Sequence, residues 1–235
     1  MGLEGLLAKH SAILIRRVSR IRNEPPLGGR LAITISRRAL VTSALAAGVL
    51  PGCKPSQELL GEPFPVFESD AQDIPQEFRR QTVNYETNEP PSTVVVDTKR
   101  RFLFHVQEGG KATRYGVGVG KEGRTWYGEA EIKRKEKWPV WVPTPEHIAE
   151  HPKIVKWIHG MPGGKGNPMG ARALYLYQGD VDTVIRIHGA YKPALIGKRS
   201  TAGCISLLNI DVIHLYDRVE IGTRVVILPP EVLPA

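Results

Sequence analysis

The chain has 235 residues, 24% of them charged and 41% apolar, so it allows one domain of good size with a tail, or two small ones, around a real core. Its net charge of +8 first suggests a nucleic-acid partner, but residues 1–52 carry eight Lys/Arg against two Glu and leave only +2 for the rest. Basicity confined to a leader excludes a nucleic-acid-binding surface as its meaning.

Residues 1–35 show no packed-element pattern, although Leu6-Leu7 and Ile13-Leu14-Ile15 with Arg16-Arg17 fit a short basic amphipathic helix, an extended leader or sequence upstream of a misassigned start. Ser36-Arg37-Arg38 then precedes an apolar run from Ala39 to Leu50, the pattern of a twin-arginine export signal, with a general secretory signal as the rival. Twelve residues fall short of the roughly 20 that span a bilayer. Leu50-Pro51-Gly52-Cys53 ends the run like a lipobox, which makes Cys53 the expected lipidation site; ordinary signal-peptidase cleavage nearby is the alternative. Two or more acyl chains suffice for stable anchoring. The expected location is the periplasm, as a membrane-anchored lipoprotein. An acylated Cys53 leaves Cys204 a lone free thiol, whereas a Cys53–Cys204 disulfide would tie the tail to the site.

Residues 53–91 are Pro-rich and read as a tether, with apolar positions between Ile74 and Tyr85 available to pack. The domain proper is expected over 92–228, followed by a frayed tail over 229–235. Val94–Val96 reads as a buried strand, and Phe102–Val106 and Arg114–Val119 as a hairpin across Glu108-Gly109-Gly110-Lys111. Ala173–Tyr177 and Val184–His188 form a second hairpin across Gln178-Gly179-Asp180. Asp211–Arg218 is the one good amphipathic helix, and Arg224–Leu228 a last strand. The class is mainly β. Trp126–Trp141 mixes basic and aromatic residues, a composition suited to a carbohydrate or peptide cleft. His147-Ile148-Ala149-Glu150-His151 matches an inverted zinc-protease pattern, but Pro145 and Pro152 leave its helix scarcely two turns, and no metal or other cofactor is expected. The glycines of 160–166 lack the Gly-Lys-Ser/Thr of a phosphate loop.

The chemistry concentrates in His188–Asn209. His188 ends a strand, a loop passes Pro193 and Gly197, and the chain returns to Cys204, which can place imidazole and thiol side by side. A thiol needs a base or a positive environment to become a nucleophile. Gly203 permits close approach of a carbonyl, and the N–H groups of Gly203 and Cys204 are candidate oxyanion donors. Asn209 reads as a helix N-cap. The competing reading is a buried inert Cys204 and a hydrogen-bonded strand histidine.

His188-Gly189, Thr201-Ala202-Gly203-Cys204 and Asn209 resemble the catalytic motif of the L,D-transpeptidase (YkuD-type) family. The upstream strands and Asn167–Leu174 resemble it too, so the likeness covers roughly residues 90–228. Ala202 and Ser206 depart from it: many members have His at the first position and most have Arg at the second. The resemblance implies a β-sandwich or mixed sheet with one main helix after the cysteine. It implies that Cys204 attacks the third residue of a peptidoglycan stem peptide, that His188 is the base, and that the Gly189 carbonyl orients it. Candidate substrate contacts are Arg186, Tyr191, Arg199, Thr201, Ser206 and Asn209, with Arg186 or Arg199 replacing the cation absent at 206. Carbapenems are expected to acylate Cys204. The alternatives are an L,D-carboxypeptidase, a catalytically inactive cell-wall-binding lipoprotein, and a sortase-type hydrolase, which would lack these upstream strands.

Overall fold

The computed structural model describes residues 61–229 apart from Gly123; the leader with its arginine pair and Cys53 lies outside the described residues. In chain order the strands are β1 Gln81–Asn84, β2 Val94–Asp97, β3 Phe102–Gln107, β4 Lys111–Gly116, β5 Val119–Gly120, β6 Gly128–Lys137, β7 Arg172–Gln178, β8 Val181–Ala190, β9 Arg199–Thr201, β10 Ile205–Leu208 and β11 Arg224–Leu228. Helix α1 spans Pro145–Glu150 and α2 Asn209–Tyr216. Nine strands form one mixed sheet in the order β1-β4-β3-β2-β11-β6-β7-β8-β10, and β5 pairs with β9 apart from it. The class is mainly β, with α2 directly after the strand that follows Cys204.

Both hairpins lie where their turn residues put them. Gly109 and Gly110 take φ of +70° and +67° between β3 and β4, and Gly179 takes +56° in the two-residue turn of β7–β8. β2 is buried on both faces: Val94 and Val96 join the main core, while Val95 packs with Phe104, Val106 and Ala112. Its parallel partner is the last strand, β11, so the two ends of the domain close on each other at the middle of the sheet.

β6 is the one long strand that the residue pattern does not announce. Gly128–Lys137 buries only Ala130 and Ile132, and Glu129, Lys133, Lys135 and Glu136 find partners on other parts of the chain. Lys135 donates to the carbonyls of Tyr216 (2.8 Å) and Val219 (2.6 Å), which satisfies backbone acceptors at the C-terminal end of α2.

From Glu62 onward the expected tether is not a free spacer. The Glu62 carboxylate forms an ion pair with Arg172, whose side chain is only 3% exposed, and accepts from Trp138 Nε1 at 2.7 Å. Val66 packs with Ala171 and Ile213, and Ile74 and Phe78 pack with Ala190, Ile196 and Leu208. β1 then adds to the sheet edge at β4. The segment covers apolar surface that β8, β10 and α2 would otherwise expose.

α2 buries Val212, Ile213 and Leu215, as its spacing predicts. It begins two residues earlier than Asp211 and ends two residues before Arg218. Asp211 is also buried, against Arg80 at 3.0 Å, and burial pushes its carboxyl up to about 6.

Candidate active site

Alternation along β8 and β10 sorts their side chains. Ile187, Ile205 and Leu207 enter the core beside Val212 and Leu215 of α2. The opposite face takes Arg186, His188 and Ser206, and in the parallel register Ser206 stands beside His188. Cys204 lies one residue ahead of β10, with its sulfur 3.9 Å from the Val184 carbonyl of β8. The parallel pairing thus sets the strand that ends in His188 beside the strand that Cys204 precedes.

His188 is 9% exposed. Its Nδ1 lies 2.8 Å from the Gly189 carbonyl, which can only accept, so Nδ1 carries the proton and Nε2 keeps a lone pair. Burial holds the imidazole below its ordinary pKa, opposed by the Gly189 and Pro168 carbonyls. A neutral ring is the form a general base requires.

Cys204 is a free, half-buried thiol. Burial pushes its pKa up; the Arg186 backbone N–H and guanidinium pull it down without winning. At rest the sulfur lies 3.9 Å from the Val184 carbonyl, and no hydrogen bond joins it to His188. Both displacements favour the uncharged forms, thiol and imidazole. Such contacts commonly tighten only with substrate bound.

Two glycines of the motif have steric reasons. The Asn209 carboxamide fills the space where a Cβ on Gly189 would sit, and it accepts the Ala171 N–H at 2.9 Å. Gly203 has φ of +140°, and a Cβ there would meet the Arg124 carbonyl at 2.9 Å.

Several expected substrate contacts have other duties. Asn209 is the first residue of α2, with Leu208 at the cap position, and its side chain braces Gly189 and Ala171 instead of facing a ligand. Ser206 is fully buried and bonded through its backbone, in both directions, to Gly118, so it cannot touch substrate. The Thr201 hydroxyl donates to the Cys204 carbonyl (2.6 Å) and accepts the Gly203 N–H (3.3 Å). At rest this occupies one of the two expected oxyanion donors; the Cys204 N–H has no partner among the described residues. Arg186 is beside Cys204, but Asp182 and the Ile185 carbonyl occupy its two terminal nitrogens. Tyr191 (43% exposed) and Arg199, exposed and without an ion pair among the described residues, remain open to a ligand.

In the inverted zinc-protease pattern, His147 Nδ1 takes part in a capping box with Thr144, and Glu150 pairs with Lys121 and Arg124. No group of three or more His, Cys, Asp or Glu able to hold a metal occurs among the described residues. The residue pattern missed Asp182 and Tyr175, which surround Arg186. The signal available was a turn-forming Asp182-Thr183 directly ahead of the strand expected at Val184–His188.

A model of the L,D-transpeptidase catalytic domain (YkuD) matches residues 91–227, more than half of the chain. The chain belongs to the L,D-transpeptidase catalytic-domain family. A probable L,D-transpeptidase, ErfK/SrfK, of Salmonella typhimurium is 35% identical over 141 residues, covering 57% of this chain and 43% of that protein. A putative L,D-transpeptidase of Fuscovulum blasticum is 36% identical over 134 residues, covering 56% of this chain and 67% of its own length. The chain therefore spans less than half the length of the Salmonella relative. A crystal structure from Brucella melitensis described as a probable carnitine operon oxidoreductase is 46% identical, covering 68% of this chain and 99% of that chain, with a TM-score of 0.46.

Proposed function

We propose that this L,D-transpeptidase-family chain cross-links peptidoglycan through an acyl-enzyme on Cys204. The observation that carries the reading is a buried His188, its Nδ1 2.8 Å from the Gly189 carbonyl, on the strand that pairs in parallel with the one a free Cys204 precedes. Cys204 Sγ attacks the carbonyl of the third stem-peptide residue while His188 Nε2 takes the thiol proton. The Cys204 N–H stabilises the oxyanion, joined by the Gly203 N–H when it leaves Thr201. Collapse breaks the C–N bond to the terminal D-Ala, and the imidazolium returns its proton to that amine. An amine of a neighbouring stem then attacks the thioester and gives a 3→3 crosslink. Water in its place gives an L,D-carboxypeptidase, and a protein lysine an attached protein. Carbapenems acylate the same sulfur. The chain from Lys54 onward, given disaccharide-tetrapeptide and followed by mass spectrometry, is expected to yield a dimer lacking one D-Ala, absent in Cys204→Ala. Tripeptide alone would mean that water is the acceptor. No product from a folded protein with an intact thiol would leave a wall-binding protein.

We also propose export by the twin-arginine route and anchoring through lipidated Cys53. Palmitate labelling that persists in Cys53→Ala would refute the anchor.

A further inference from the structure

The β7–β8 hairpin carries an irregularity beside the nucleophile. Tyr175 pairs with Arg186 and Tyr177 with Asp182, so Leu176 alone faces Thr183, Val184 and Ile185. Bulges of this kind re-aim side chains and carbonyls. Val184 sits at φ +62°, a conformation that a β-branched residue rarely adopts and that needs outside support.

Asp182 supplies that support. Its Oδ1 accepts the Val184 N–H at 2.8 Å and Arg186 Nη1 at 2.7 Å, and its Oδ2 accepts Arg186 Nη2 at 2.8 Å. Thr183 Oγ1 takes the Ile185 N–H and donates to the Leu176 carbonyl. The Arg186 guanidinium lies 4.5 Å from the Tyr175 ring centre, with Arg134 3.5 Å from the same ring and the Tyr175 hydroxyl donating to Glu136. One carboxylate therefore fixes both neighbours of Cys204 Sγ on this strand: the Val184 carbonyl and Arg186.

We propose that Asp182, acting through Val184 and Arg186, is a positioning residue for the nucleophile: its bulge fixes the Val184 carbonyl, 3.9 Å from Cys204 Sγ, and holds the Arg186 guanidinium whose charge faces the thiol. This rests on the reading of Cys204 as the nucleophile. It reassigns Arg186 from substrate contact to thiol control, because its terminal nitrogens are already bound. It also answers the absence of a cation at position 206: Ser206 is buried, and the positive charge near the sulfur comes from the neighbouring strand instead.

The other charged or titratable groups of this face are His188 on β8, Tyr175 on β7, and Arg134 and Glu136 on β6; Arg124 reaches Gly203 only through its carbonyl. The test is the pH dependence of iodoacetamide alkylation in the full chain, read by mass spectrometry on the peptide that contains Cys204. Asp182→Asn keeps an acceptor for the Val184 N–H and removes the charge that neutralises Arg186. Its alkylation midpoint is expected to fall, giving roughly 3- to 10-fold faster alkylation at pH 7, since one pKa unit is tenfold. Arg186→Gln is expected to raise the midpoint and slow alkylation by a similar factor. Asp180→Asn, at the exposed tip of the same hairpin, leaves the midpoint in place. A fold defect cannot give displacements of opposite sign. Unmoved midpoints, or two of the same sign, would overturn the proposal. In turnover, both site variants are expected to lower kcat with KM within about twofold, as positioning through the nucleophile requires. A large rise in KM for Arg186→Gln would make it a substrate contact and overturn the reassignment. Alkylation needs no peptidoglycan substrate. A wild-type chain without turnover would therefore sink the proposed function and leave this test intact.

Discussion

Replacing His188 by Gln is expected to lower acyl-enzyme formation with disaccharide-tetrapeptide by about 10²–10⁴-fold, the usual contribution of a positioned general base. The expectation is this large because of the resting state. Burial raises the Cys204 pKa above its ordinary value, so little thiolate exists near neutrality to act without a base. Gln is close to the imidazole in size and can still donate to the Gly189 carbonyl, so the loss isolates proton transfer from packing. The pH dependence has a fixed sign. Only neutral His188 can accept the proton, and burial lowers its pKa below the ordinary 6.5. The acid limb of kcat/KM is therefore expected below pH 6.5 in the wild type and absent from the residual activity of His188→Gln. An acid limb well above pH 6.5, or a variant retaining half of its activity, would remove His188 from the base role.

The second large effect concerns stability. Glu62→Ala is expected to destabilise the domain by about 3–5 kcal/mol, the cost of leaving a buried charge without its partner. The side chains of Arg172 and Glu62 are 3% and 11% exposed, and Trp138 Nε1 shares the carboxylate. Arg172 Nε is already buried without a partner, and only the Ala171 carbonyl would still accept from the guanidinium among the described residues. For a chain of this size such a loss lowers Tm by about 10 °C or more, measurable by calorimetry. Glu62→Met with Arg172→Met replaces the pair by apolar volume and is expected to recover most of the loss. The carboxyl is held below its usual range, first by the Arg172 hydrogen bond. Its stabilising effect is therefore present above the unfolded carboxyl pKa and fades as pH falls through the lower folded value. A Tm unchanged in Glu62→Ala would mean that residues 62–80 are dispensable, as a plain tether would be.

These two expectations separate what the sequence by itself determined from what folding decided. The hairpins, the last strand and the helix after Cys204 were legible because each rests on local rules. Left-handed glycines make turns, alternation makes strands, and a His-Gly with a Gly-Cys is a chemically readable motif. The roles of the residues between were not legible. Asn209 has the look of a cap or a ligand contact, and only packing shows its carboxamide filling the space beside Gly189. Ser206 looks like a lost cation, and only the Gly118 bridge shows that the position is buried. β6 hid because Glu129, Lys133, Lys135 and Glu136 find partners elsewhere in the chain, which no period reveals. Glu62 lies in a Pro-rich stretch that composition marks as a spacer, and its partner is 110 residues away. Asp182 counts as a turn former until the β8 bulge brings it beside Arg186 and Val184. Local rules gave the elements. The positions of the charges around Cys204 depend on register, and register is set by the whole sheet.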